Sequence, residues 1–253
     1  MVDVVLLASP GASTNILFHR LARRFSVEVL LEERVSRWQL VRGRYRKLGL
    51  WETAGQLAFI ALVQPVLGRA ARARVREILR EHALDDAPIP DARVHRVATV
   101  NGDEARARLR ELSPRAVVVS GTRIIGKATL SSVSAPFINL HAGITPRYRG
   151  VHGGWWALAE RRAELCGSTV HVVDAGIDTG DVVEQVTFAV GRDDTFATYP
   201  YLHLAAGVPA LERAVEAALA GALASRRPLT TESRLRYHPT VWRYLAARLR
   251  GVR

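Results

Sequence analysis

Residues Arg115 to Gly121 read RAVVVSG, an almost unbroken apolar run of strand length closed by a glycine. A strand that is apolar at successive positions has no side to turn to water, so both faces of its sheet must be covered. Other segments share that demand. Val2 to Leu7 reads as a first strand, followed by a turn at SPGAS and a helix from about Asn15 to Arg24. SVEVLLE, ARVHRVATV, PFINL and STVHVVD read as further strands, and NGDEARARLREL as a compact helix with Asn101 at its N-cap. Strands alternating with helices predict an α/β protein: a Rossmann-like, open, mostly parallel sheet with helices on both faces.

One segment breaks the alternation. Residues 33–84 hold no clear strand and read as a helical insertion inside a catalytic domain of residues 1–222. Its apolar middle, LGLWETAGQLAFIALVQPVL, is flanked by RGRYRK and RAARARVREILR. A membrane-crossing helix needs ~20 predominantly apolar residues, and this stretch reaches that length only by including Glu52, Gln56, Gln64 and Pro65. Two readings stand: a hairpin packed on the sheet with a solvated basic side, or peripheral contact with an anionic membrane. A helix around Ala205 to Ala222 closes the domain. Residues 223–253 form a basic tail whose short helix would bring Val241, Tyr244, Leu245 and Leu249 onto one face.

Charge narrows the partners. Lys and Arg number 36 against 24 Asp and Glu, a formal net charge of +12. Such a surplus suits acidic partners: phosphorylated small molecules, nucleic acid or an anionic membrane surface. The N-terminus lacks the basic region of a signal peptide. The single cysteine, Cys166, excludes an internal disulfide framework and reads as a small core residue. A reducing, cytoplasmic setting follows. No HExxH or CxxC spacing appears, so no metal is implied.

Chemistry concentrates in two places. In INLHAGITPRYRG, Asn139 and His141 stand two apart, so on an extended strand both project from one face. They end a strand where open α/β sheets place ligands. Downstream, STVHVVDAGIDTGDVV carries His171, Asp174, Asp178 and Asp181 into a glycine-rich loop. An amide, an imidazole and a carboxylate form a coherent set for acyl transfer: an oxyanion donor, a proton carrier and a group that orients it. The same residues could simply finish strands, and the 37 residues between His141 and Asp178 leave their proximity open.

NLHAGITPRYRG, with GIDTGD downstream, resembles the folate-dependent formyltransferase family over roughly Ala116 to Gln185, with Thr145 where leucine is usual. The resemblance implies that Asn139 stabilises the developing oxyanion, that His141 is the catalytic histidine and that Asp178 supports it. It implies 10-formyltetrahydrofolate as co-substrate, with Arg123, Ile124 and Ile125 on one wall of its cleft. Val173, Asp174, Gly176 and Ile177 would form the pterin pocket. Arg123 reads equally as a surface pair and Asp174 as a turn cap, while His171 on an alternating strand reads as structural.

For the acceptor the resemblance points to Ser13 and Asn15 in the first loop, to Arg147, Tyr148 and Arg149, and to His152. Trp155 and Trp156 read as core. The implied reaction moves a formyl group to a primary amine. About thirty residues follow the last domain helix, fewer than the β-barrel appended in methionyl-tRNA formyltransferases. The first loop also departs from the glycine pattern of glycinamide ribonucleotide formyltransferase. The expected acceptor is therefore an amino sugar linked to a nucleotide or a lipid, with glycinamide ribonucleotide or another small amine as the alternative. A catalytically idle, basic nucleic-acid-binding module is the distant alternative, and no interleaved aromatic and basic stripe supports it.

Overall fold

The computed structural model of the chain describes residues 2–252. β1 (Val4–Ala8), α1 (Ala12–Leu21) and β2 (Val27–Glu32) open the fold. The insertion follows as α2 (Arg37–Ala58), a π-helical turn at Phe59–Val63, α3 (Gln64–Ala70) and α4 (Arg72–Glu81). β3 (Val94–Val97), α5 (Asp103–Leu112), β4 (Ala116–Ser120), α6 (Lys127–Leu130) and β5 (Phe137–His141) come next. The remainder comprises β6 (Arg149–Gly150), α7 (Gly153–Ala159), β7 (Gly167–Val172) and β8 (Val182–Thr187). It ends with α8 (Tyr199–Leu219), β9 (Leu235–Arg236) and α9 (Val241–Leu249).

The main sheet has seven strands in the order β3-β2-β1-β4-β5-β7-β8. β3 through β5 pair in parallel, and β7 and β8 run antiparallel. Every residue of β1 and β4 is buried. Val4, Leu6, Ala8 and Val118 face a core shared with α1 and α8. Val5, Leu7, Val117 and Val119 face the opposite core with Ala105 and Leu109 of α5. Two covered faces are the physical reason for the continuous apolar runs.

A third, aromatic core holds the insertion and the tail against the domain. Phe59 and Ile78 are fully buried there with Tyr148, Trp155, Phe196, Tyr199 and Tyr244. The tail is tied in by, among other contacts, β9 pairing with β6 and Tyr244 and Ala247 of α9.

Several local expectations need correction. α1 begins at Ala12 and α8 at Tyr199, where Pro200 sits in the first turn and so loses no helical hydrogen bond. Asn101 does not cap α5; Gly102 takes that place without a side-chain bond. The Asn101 amide instead donates to Ile124 O at 2.9 Å and accepts from Gly126 N–H at 2.7 Å, clamping the loop after β4. On α9, Tyr244 is buried, but Leu245 and Leu249 are 53% and 91% exposed, so the inward face runs through Tyr244 and Ala247.

Candidate active site

The loop after β4, the end of β5 and the loop between β7 and β8 enclose a cleft of about 400 Å³. All ten residues expected to catalyse or to hold folate line it: Asn139, His141, Asp178, Arg123, Ile124, Ile125, Val173, Asp174, Gly176 and Ile177. The wall after β4 is fixed from behind by a carboxylate that the sequence did not single out. Buried Glu32 accepts from Arg123 N–H at 3.0 Å and Val100 N–H at 2.9 Å, and its carboxylate pairs with the Arg123 guanidinium at 3.3 Å. Asp174 caps its own turn, accepting from Gly176 N–H and Thr179 Oγ1.

Sheet register assembles the polar centre. β5 and β7 are antiparallel with Asn139 directly opposite His171, and their side chains meet, Asn139 Nδ2 lying 3.1 Å from His171 Nε2. His171 Nδ1 lies 2.8 Å from Val172 O and must donate to it, so in the neutral ring Nε2 accepts from Asn139. His141 Nε2 donates to Tyr148 O at 2.7 Å, which leaves Nδ1 facing Asp178 Oδ2 at 3.5 Å. The other Asp178 oxygen lies 3.7 Å from His171 Nε2. His171, read from sequence as structural, is thus part of the cluster. The signal for it was the pairing of β5 with β7, which is nonlocal.

Electrostatics separates the partners. Burial pushes the His141 ring toward neutrality; the Asp178 charge and the Tyr148 carbonyl oppose this without reversing it. Burial also raises the Asp178 carboxyl. The His171 contact, the His141 charge and the Gly150 N–H outweigh that and hold it at about 2. A carboxylate therefore faces an imidazole nitrogen that is free to take a proton.

A second cavity of about 320 Å³ adjoins the first, sharing Gly121, Leu140 and Ala142. It opens at the carboxyl ends of β1 and β4, where the strand order reverses, the usual ligand crevice of an open α/β sheet. Ser9, Ser13, Thr14, Ser120 and Ser168 line it with His203, and among the described residues no Lys or Arg does.

Of the residues expected to hold the acceptor, only Ser13 reaches this space. Asn15 is a correction. Two positions along a helix differ by ~200°, so Asn15 points away from Ser13 and donates to Asp86 O at 2.9 Å. The PRYRG loop is a brace. Tyr148 is fully buried with its hydroxyl on Glu160, and Arg147 pairs with Glu160 and Glu232. Arg149 donates to Ile177 O at 3.2 Å. His152, also expected at the acceptor, shares a 2.9 Å hydrogen bond with His238 beside the aromatic core.

Comparison with known proteins decides the family. The family model described as formyl transferase matches residues 64–214. The chain belongs to the formyl transferase family. Relatives include the methionyl-tRNA formyltransferase of Anaeromyxobacter dehalogenans (strain 2CP-C), 38% identical over 138 residues, 52% of this chain and 44% of the relative. That of Halothermothrix orenii is 34% identical over 126 residues, 47% of this chain and 40% of the relative. The chain thus spans less than half the length of these curated relatives. Among solved structures, a sugar N-formyltransferase from a Shewanella species superposes with a TM-score of 0.55 at 14% identity, covering 92% of this chain and 76% of that one. An N-formyltransferase from Helicobacter canadensis, solved with folinic acid and dTDP-3-aminofucose, gives 0.54 at 14%, covering 93% and 70%. At these identities the likeness is one of fold.

In this member of the formyl transferase family, one glycine supports the acidic member of the cluster. Gly150 has φ +94° and donates its N–H to Asp178 Oδ2 at 2.8 Å. A Cβ there would collide with the Arg236 carbonyl of β9. Gly150→Ala is expected to cost about 1–3 kcal/mol in strain and to displace Asp178, lowering turnover roughly 10- to 100-fold. Thermal melts and steady-state kinetics check both parts. Cys166 is buried and its thiol is pushed up to about 12 by burial and Asp194, so it is an inert core residue. Among the described residues, no group of three or more His, Cys, Asp or Glu is placed to hold a metal ion.

Proposed function

We propose that this chain transfers the formyl group of 10-formyltetrahydrofolate to the primary amine of an amino sugar carried on a nucleotide or a lipid. The observation that carries the reading is the convergence of Asn139, His141 and Asp178 in one cleft beside a second, hydroxyl-lined cavity. The folate would lie in the larger cleft, its pterin edge read by backbone groups of Arg123 to Ile125 and Val173 to Ile177. It supplies the activated formyl carbon. Asn139 then donates from its amide to the formyl oxygen as charge builds on it, without reorganising. Attack by the acceptor amine forms the new C–N bond as the carbonyl π pair moves onto the formyl oxygen, and the return of that pair breaks the bond to the folate nitrogen. His141 Nδ1 takes the proton the amine sheds, and Asp178 stabilises the resulting imidazolium. Returned to the folate nitrogen, that proton balances the reaction.

Ser9, Ser13 and Ser120 on the wall of the second cavity, with no Lys or Arg among the described residues that line it, support a sugar ring over a phosphate at that position. A second reading, in which the acceptor is methionyl-tRNA, draws on the identity to methionyl-tRNA formyltransferases. A mass-spectrometric screen with 10-formyltetrahydrofolate tests both, using nucleotide-linked and lipid-linked amino sugars, glycinamide ribonucleotide and methionyl-tRNA. A formyl mass gain on an amino sugar is the expected result. A gain on methionyl-tRNA or the ribonucleotide alone replaces the acceptor, and none on any amine overturns the reading.

A further inference from the structure

The most prominent exposed apolar surface lies on the insertion. Trp38, Leu50, Trp51 and Leu62 are 71%, 72%, 74% and 68% exposed, with Tyr45 and Val66 close behind. No residue of α2 before Thr53 is buried. A helix stretch of this length is marginal in water without packing, and apolar surface on this scale marks an interaction site. Among these side chains stand Arg34, Arg37, Arg42, Arg44, Arg46 and Lys47, and no Asp or Glu occurs from Arg34 to Trp51.

We propose that α2, the π-helical turn and α3 form a docking surface for an anionic lipid bilayer, which they contact from one side. Indole and phenol rings interleaved with long cationic side chains suit the zone where acyl chains meet headgroups. The charge is complementary to anionic lipid, and each cation near such a surface strengthens binding roughly fivefold. The aliphatic share of the patch argues against nucleic acid. Bases stack on rings, whereas Leu40, Leu50, Leu62 and Val66 offer them none.

The contact is peripheral. Arg37–Ala70 is long and apolar enough to cross a membrane by length and composition, with 22% of its most apolar window buried. However, Gly49, at φ 78° and ψ 176°, breaks α2 in two. Beyond the break, Phe59 is fully buried against Phe196 and Tyr244, with ring centroids 4.9 and 5.0 Å away. Glu52 holds Arg243 at 2.8 Å, and Trp51 stacks on Trp242 at 5.1 Å. Crossing the bilayer would tear Phe59 out of the aromatic core and break the Glu52 and Trp51 contacts to α9.

The test is co-sedimentation of the full chain with vesicles of phosphatidylcholine alone and of phosphatidylcholine containing one-third phosphatidylglycerol. It involves no formyl acceptor, so its outcome is independent of the proposed reaction. The chain should partition onto the anionic vesicles at low salt and far less onto neutral ones. Arg42→Glu with Arg46→Glu, or Trp38→Ser with Leu62→Ser, should each weaken partition roughly tenfold or more with an unchanged melting temperature. Lipids brominated in their acyl chains should quench the tryptophan fluorescence of the unaltered chain, and less so in Trp38→Phe. Failure to partition onto anionic vesicles, or equal partition of the variants, overturns the proposal. Tight binding to a structured RNA without vesicle binding assigns the surface to nucleic acid and overturns it as well.

Discussion

Asn139→Ala is expected to lower the turnover of formyl transfer by ~100-fold or more, with KM for folate and acceptor changed only a few-fold. The amide is held before the reaction begins: its place on β5 is set by pairing with β4 and β7, and one N–H already donates to His171 Nε2. Its remaining amide hydrogen is available to the cleft. A donor that gains strength only as charge develops on the substrate affects kcat more than KM. The substitution also releases His171, so a second variant is needed to apportion the loss. His171→Gln keeps a hydrogen-bond partner for Asn139 while removing the ring beside Asp178. A loss well below that of Asn139→Ala assigns the main effect to the amide itself. Equal losses would mean that Asn139 acts mainly by positioning His171, and normal turnover in Asn139→Ala would sink the catalytic assignment. Folate binding and a cooperative melt confirm that the variant is folded.

What could be read in the sequence followed the range of the interactions involved. RAVVVSG announced a doubly covered strand because burial on both faces leaves a local mark, and β4 is buried throughout. Asn139 and His141 on one face were equally local. Asp178 and His171 reach them only through the β5–β7 pairing and the loop to β8, which no short-range pattern encodes. Glu32 behaves the same way: its carboxylate organises a loop 91 residues away. The PRYRG loop misled for another reason. Its polar residues suggested a ligand-facing surface, but Arg147 and Tyr148 turn to Glu160 and Glu232, and Arg149 turns one guanidinium nitrogen to Ile177 O. Polar character shows in a sequence; the partner that satisfies it does not.

Acidification from about pH 7.5 to 5 is expected to remove several kcal/mol of folding stability. Burial depresses the pKa of His203 to about 3 and, assisted by the Arg44 charge, that of His238 to about 4. Burial, with His238 and His203 nearby, also holds His152 well below its ordinary value, and burial lowers His141 too. These rings are neutral in the folded protein, whereas an unfolded histidine takes up its proton near ~6.5. The unfolded state therefore binds more protons once the pH drops below that value. Stability is complete above ~6.5 and declines as the pH falls toward the folded-state values, by about 1.4 kcal/mol per unit for each ring. His203 and His238 together would cost roughly 3 kcal/mol per unit, against a total stability of ~5–15 kcal/mol. Asp178 works in another window. Its carboxyl, held at about 2, contributes stability above the ordinary carboxylate range and loses it only under much stronger acid. Urea unfolding midpoints across this pH range measure the slope, and His238→Gln should reduce it by about one ring's share, ~1.4 kcal/mol per unit. A midpoint that stays level from about pH 7.5 to 5 would show that these histidines are not buried as neutral rings.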